Sequence, residues 1–126
     1  MTSLHHIALG ARDVERVAAF YRDLLELPEI TRHQNDDGGL RSIWLDLEGA
    51  ILMVERTDHE LPAPVEGVGT GPFLLAIKIT KARRSEMEAR LEAAGHPIED
   101  RTEFTSYARD PEGNRVAFSA FGSDQW

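Results

Sequence analysis

The chain has 126 residues, 41% of them hydrophobic, and its 14 Lys+Arg against 22 Asp+Glu give a net charge of −8. That length and apolar share suit one compact unit or two small modules sharing a core, while the acidic balance repels phosphate backbones and argues against a nucleic-acid partner. With no cysteine, disulfides, thiolate metal sites and cysteine nucleophiles are excluded, so any metal must be held by His, Asp or Glu.

The N-terminal "MTSLHH" lacks the charged-then-apolar pattern of a secretion signal, and no run of about 18 apolar residues follows. The expectation is a cytoplasmic protein with no membrane partner. "HHIALGA" alternates like a strand, with Ile7, Leu9 and Ala11 on one face and His6, Ala8 and Gly10 on the other. In a regular strand His5 would point away from His6, so the two would not chelate together. A helix is predicted next, with Asp13 as N-cap and Val14, Val17, Ala18, Tyr21, Leu24 and Leu25 at helical spacing until Pro28 ends it. Three strands are then expected: "EITRHQ", "LRSIWLDL" and "AILMVER", joined by turns at "NDDGG" and "EG".

From Phe73 the order restarts. "FLLAIKIT" reads as a strand, and "KARRSEMEARLEAAG" as a helix with Met87, Leu91 and Ala94 inward and Gly95 as its stop. "PIEDRTE", "TSYARD" and "NRVAFSAF" supply three further strands, with "DPEG" as the last turn. The fold class is therefore α+β, two βαβββ modules over residues 1–57 and 73–126, joined by a Pro- and Gly-rich linker over 58–72. Each module offers a four-stranded sheet with a helix on one face, so two curved sheets would form a cup with the helices outside. His33, His59 and His96 fall in or near turns and connectors, where a solvated role is expected.

The segments "HHIALGARDVERVAAFYRDLL", "GAILMVER" and "ARDPEGNRVAF" together resemble the vicinal oxygen chelate superfamily, which includes glyoxalase I, extradiol dioxygenases, fosfomycin resistance proteins and bleomycin resistance proteins. Glu26 departs from the pattern, standing where relatives usually carry the glycine of an "LLGL" helix ending. The resemblance implies a divalent metal held by side chains of the first and last strands of the modules, with vacant positions for substrate oxygens. Carried over one position at a time, the ligand set falls on His6, Leu74, Met53 and Ala117. Only His6 has a metal-binding side chain, and one imidazole does not assemble a catalytic site. Glu55 shares a face with Met53 but lies about 6.6 Å further along the strand. A relocated site would need His6 and Glu55 together, with Asp46 beside them.

The face shared with His6 would line the cup. In the first module it offers Ser42, Trp44, Asp46, Met53 and Glu55, and in the second Leu74, Lys78, Tyr107, Arg109, Ala117 and Phe121. An apolar surface with an aromatic ring and a few polar handles is the usual composition of a small-molecule site. Trp44 would stack a planar ligand, and Asp46 and Glu55 would favour a cationic one; the plainer reading of Trp44 and Met53 is that they fill a core or an interface. The expected function is a metal-free binding or resistance-type protein for an aromatic ligand, with no cofactor. Two alternatives stay open: a divergent lyase or dioxygenase with relocated ligands, and a non-catalytic interaction subunit. A homodimer is expected, its modules pairing within one chain or between chains.

Overall fold

The computed structural model describes residues 1–123, and the chain divides into two units, Met1–Leu61 and the remainder from Pro62. The first unit runs β1 (His6–Ala11), α1 (Val14–Ala19), a π-helical turn (Phe20–Leu24), β2 (Glu29–Gln34), β3 (Leu40–Asp46) and β4 (Ile51–Arg56). Its sheet has the order β1-β4-β3-β2, with β1 parallel to β4 and the other pairs antiparallel. The second unit repeats the plan with β5 (Leu75–Lys78), α2 (Lys81–Ala93), β6 (Asp100–Arg101), β7 (Thr105–Arg109) and β8 (Arg115–Ser119). Its order is β5-β8-β7-β6, again with the outermost pair β5 and β8 parallel. The α+β class and the doubled βαβββ order match the sequence reading.

Alternation in β3 and β4 decides which face of the first sheet is core. Ile43, Leu45, Leu52 and Val54 are fully buried, as are Val17 and Ala18 of α1, which contacts both strands. Each Val, Leu and Ile side chain of this set stabilises the fold by roughly 1.5–3 kcal/mol. Asp13 caps α1 by accepting from the Arg16 N–H at 3.1 Å. The predicted single helix does not continue as α-helix: the Leu25 N–H reaches Phe20 C=O, a five-residue step, and Leu27 N–H reaches Tyr21 C=O. This widened turn ends with Glu26 at φ 62°, which explains why a glycine suits that position.

In the second unit Met87 and Leu91 of α2 are buried, together with Ala108, Val116 and Phe118 of the sheet. Arg84 and Glu88 of α2 clasp the fully buried Ser106 of β7: Arg84 Nε donates to Ser106 Oγ at 2.9 Å, and Ser106 Oγ donates to Glu88 at 2.6 Å. The helix ends in a Schellman motif. His96 N–H bonds Leu91 C=O at 2.8 Å, Gly95 N–H bonds Glu92 C=O at 3.1 Å, and Gly95 sits at φ 86°. Ala94, expected inward, is exposed because it is the cap residue where the helical face has already ended.

The strand expected over 97–103 shrinks to Asp100–Arg101. Arg84 accounts for this: its guanidinium donates to the carbonyls of Thr102, Glu103 and Thr105, holding the segment as a tight loop. The "DPEG" turn is built on Asp110, 3% exposed, whose carboxylate accepts from Glu112 N–H, Asn114 N–H and Asn114 Nδ2 at 2.9–3.0 Å. No helix among the described residues is long and apolar enough to cross a membrane.

Candidate functional site

The strand registers set the residues of each open sheet face, the face turned from the core, into rows. On the first sheet one row is Gly10, Glu55, Ser42 and His33; the next is Ala8, Met53, Trp44 and Thr31; the third holds His6, Ile51 and Asp46. Trp44 therefore stands between Met53 and Thr31, with Glu55 and Asp46 flanking its row on opposite sides. Ser42 is 1% exposed and its hydroxyl lies 3.3 Å from His33 Nδ1. The His33 ring tilts at 56° against the indole, centroids 4.9 Å apart. The Trp44 Nε1–H is buried and has no hydrogen-bond partner among the described residues, a condition that costs about 1–3 kcal/mol when nothing satisfies the donor.

His33 and Thr31 are site neighbours that the sequence reading missed. The signal is present in "EITRHQ", whose alternation puts both on one face, but His33 also lies near the "NDDGG" turn, where a solvated role is the expectation. Asp46 serves a second purpose: its Oδ1 accepts from the Glu48 N–H at 2.8 Å, shaping the β3–β4 turn in which Glu48 and Gly49 both have positive φ.

The two N-terminal histidines meet. His5 precedes the first strand residue, so strand alternation does not govern it, and the two Nδ1 atoms lie 2.9 Å apart. Both are exposed. His6 and Glu55 do not meet: Glu55 is level with Gly10, four residues along β1 from His6, or about 13 Å. No group of three His, Asp or Glu side chains able to hold a metal exists among the described residues. The donor set carried over from the superfamily fits a metal poorly. Leu74 and Ala117 have no donor atom, and the Met53 thioether is a soft ligand unsuited to hard divalent ions.

On the second sheet Lys78, Ser119 and Thr105 form one open-face row; Ala76, Ala117, Tyr107 and Asp100 form the next; Arg115 and Arg109 follow. Leu74 immediately precedes β5. Ala117 is fully buried and Lys78 exposed. Arg109 is engaged by Glu99 at 3.0 Å and by the carbonyls of Gly113 and Val65. Arg115, absent from the sequence reading, lies 4.6 Å above the Tyr107 ring. Phe121 falls beyond β8, which ends at Ser119; it is exposed and packs edge-on to Phe104, centroids 5.4 Å apart.

Two other charged features lie outside these faces. An open groove of about 650 Å³ between α2 and β6 is lined by Glu88, Glu92, Glu99, Asp100 and Arg101 among others, but each carboxylate already accepts a bond from its own fold. Around Arg22, carboxyls are held below their usual range: Asp23 by its hydrogen bond from Arg22, and Glu29 by those from Arg32 and then Arg22.

Two units of βαβββ order, each with a parallel outer pair, define the paired-module class of α+β proteins. The chain belongs to the Glyoxalase/Bleomycin resistance protein/Dioxygenase superfamily, whose family model matches residues 3–118. Among solved structures it is similar to lactoylglutathione lyase from Agrobacterium tumefaciens, at 25% identity and TM-score 0.67 over 94% of this chain and 93% of that one. It is similar in fold to the fosfomycin resistance protein FosX from Listeria monocytogenes, solved as a mutant with Mn(II) and 1S,2S-dihydroxypropylphosphonic acid. That likeness has 18% identity and TM-score 0.78 over 95% of this chain and 93% of that one. TioX from Micromonospora sp. ML1 matches at 24% identity and TM-score 0.66 over 94% and 98%. A search of curated proteins finds no match.

Proposed function

We propose that this chain is a binding or resistance-type member of its superfamily that sequesters a planar organic compound on the open face of the first sheet, without a resident metal. The carrying observation is Trp44, part-exposed, flanked by Met53 and Thr31, with a buried indole N–H that no group among the described residues satisfies. A ligand lying on this row would cover the indole and bring an acceptor to that N–H, while Glu55 and Asp46 on either side would favour a positive charge. The side chains of His6, Leu74, Met53 and Ala117 support the metal-free reading, because three of them offer no adequate ligand.

Ser42, on the same face of the first sheet, supplies a polar handle in this proposal, and the protein works as a cytoplasmic homodimer whose two modules are joined by the linker over 58–72. The test is a fluorescence titration of the purified protein with aromatic cations, neutral aromatics and aliphatic acids. Saturable quenching by the aromatic cations is expected, with calorimetric binding of the same compounds lost in Trp44→Ala; no quenching by any planar compound would overturn the proposal. Light scattering at micromolar concentration tests the dimer, and a monomer would count against it.

A further inference from the structure

The connector from Pro62 to Gly71 is nearly devoid of its own structure. Its side chains are exposed, Val65 at 41% and Val68 at 84%, Gly67 and Gly71 take positive φ, and among the described residues it makes no backbone–backbone hydrogen bond. Two arginines hold it. Arg109 Nη2 donates to Val65 C=O at 2.7 Å, and Arg115 Nη1 donates to Gly67 C=O at 3.2 Å. These arginines are register partners on β7 and β8, on the open face of the second sheet, so the connector is fastened across that face at one end.

The two latches are unequal. Arg109 is also bound by Glu99 and by Gly113 C=O, with Glu66 at 3.9 Å. Arg115 pairs with no carboxylate among the described residues; it lies over Tyr107, has the one long bond to Gly67, and its Nε–H is buried without a partner. A neutral carbonyl thus occupies one corner of a guanidinium whose fork suits a charged, two-oxygen acceptor, and bonds to an anion are roughly twice as strong as neutral ones.

We infer that residues 62–71 form a strap closed over the second sheet by Arg109 and Arg115, and that an oxyanion binding Arg115 displaces Gly67 C=O and opens the strap on its Gly67 side while Arg109 keeps hold of Val65 C=O. The shared chemistry is that of a carboxylate or a phosphate group. This inference does not depend on what the first sheet binds.

The latched carbonyls of Val65 and Gly67 bracket the Glu66–Gly67 peptide bond, so a glutamyl endopeptidase can seat that bond only when the strap opens. Cleavage there is followed by mass spectrometry on the whole chain, with inorganic phosphate, acetate or chloride at matched ionic strength. Cleavage after the exposed Glu60 serves as the internal control for protease activity. Phosphate, acetate or both are expected to accelerate the Glu66 cut several-fold relative to chloride, and whichever acts identifies the source of the oxyanion. In Arg115→Gln the cut is expected to be fast without added anion and indifferent to it. If neither anion changes the Glu66 rate in the parent chain, or if Arg115→Gln responds as the parent does, the strap is not released through Arg115 and the inference fails.

Discussion

In the β3–β4 ladder Met53 lies directly opposite Trp44. A polarizable thioether beside an indole makes a favourable contact and a smooth apolar floor, at a position where the superfamily pattern would call for a carboxylate. If this floor stacks a planar ligand, Trp44→Ala should weaken binding about tenfold or more, equivalent to about 1.4 kcal/mol per decade, and Trp44→Phe should lose less. The affinities of these variants are read by isothermal titration calorimetry, because the two tryptophans of the chain are Trp44 and Trp126 and a Trp44 variant has lost the indole whose fluorescence would report the site. Removing the exposed carboxylate Glu86 is expected to leave affinity unchanged; equal losses for Glu86 and Trp44 variants would show that the indole is not the platform.

The donor set leads to a second expectation. Protein purified without chelator should carry far less than one equivalent of zinc, nickel, iron or manganese, and chelator should leave its melting temperature unchanged. One equivalent that disappears in His6→Ala would reverse this.

Asp110 is the most heavily bonded buried carboxylate described above. Asp110→Ala removes three accepted hydrogen bonds from the β7–β8 turn, and bonds to a charged group contribute about 1.5–3 kcal/mol each without adding fully. A loss of about 2–4 kcal/mol in urea unfolding is expected, with Asp110→Asn costing less because it keeps an acceptor. A change within experimental error for Asp110→Ala would refute this account of the turn.

The Arg22 cluster sets an acid limb. Glu29 is bound by Arg32 at 2.7 Å and Arg22 at 2.9 Å, and its carboxyl is depressed in the folded chain. A depressed carboxyl contributes stability that is fully present above its unfolded value and lost as pH falls through its folded value. The parent should therefore lose stability as pH drops below about 4.3, the unperturbed glutamate value. Glu29→Gln should be slightly less stable at neutral pH, by about 1 kcal/mol or less, and should show a shallower acid decline. Parallel pH profiles for the two would dismiss the cluster as a source of acid sensitivity.

Much of the architecture was legible because period-2 and helical patterns are enforced by one-sided burial. The set Ile43, Leu45, Leu52 and Val54 is fully buried as its alternation implied, and Asp13 and Gly95 cap their helices as their chemistry dictates. What escaped were features fixed by contacts distant in sequence. Arg84 shortens β6 through three carbonyls some 18–21 residues away. Glu88, which reads as a surface carboxylate, is held by Ser106 and by Arg101 at 2.8 Å. His33 looked like a turn residue until pairing with β3 placed it against Trp44, and His5 lies outside the strand whose alternation was used to aim it. The roles of Arg115 and the connector have no local signature at all, since a guanidinium that meets a loop carbonyl 48 residues upstream leaves no mark on either segment.

β2 closes one side of the first sheet, and its pairing with β3 slips twice, between Glu29 and Thr31 and again between His33 and Gln34. Each slip bends the outer strand and breaks the even spacing of its outward N–H and C=O groups, so a second extended chain cannot dock along its length in register. Exposed Ile30 sits beside the first slip, where a flat edge would otherwise pair a sticky side chain with an open backbone template. The same irregularity that seats His33 beside the indole thereby guards the sheet against edge-to-edge aggregation.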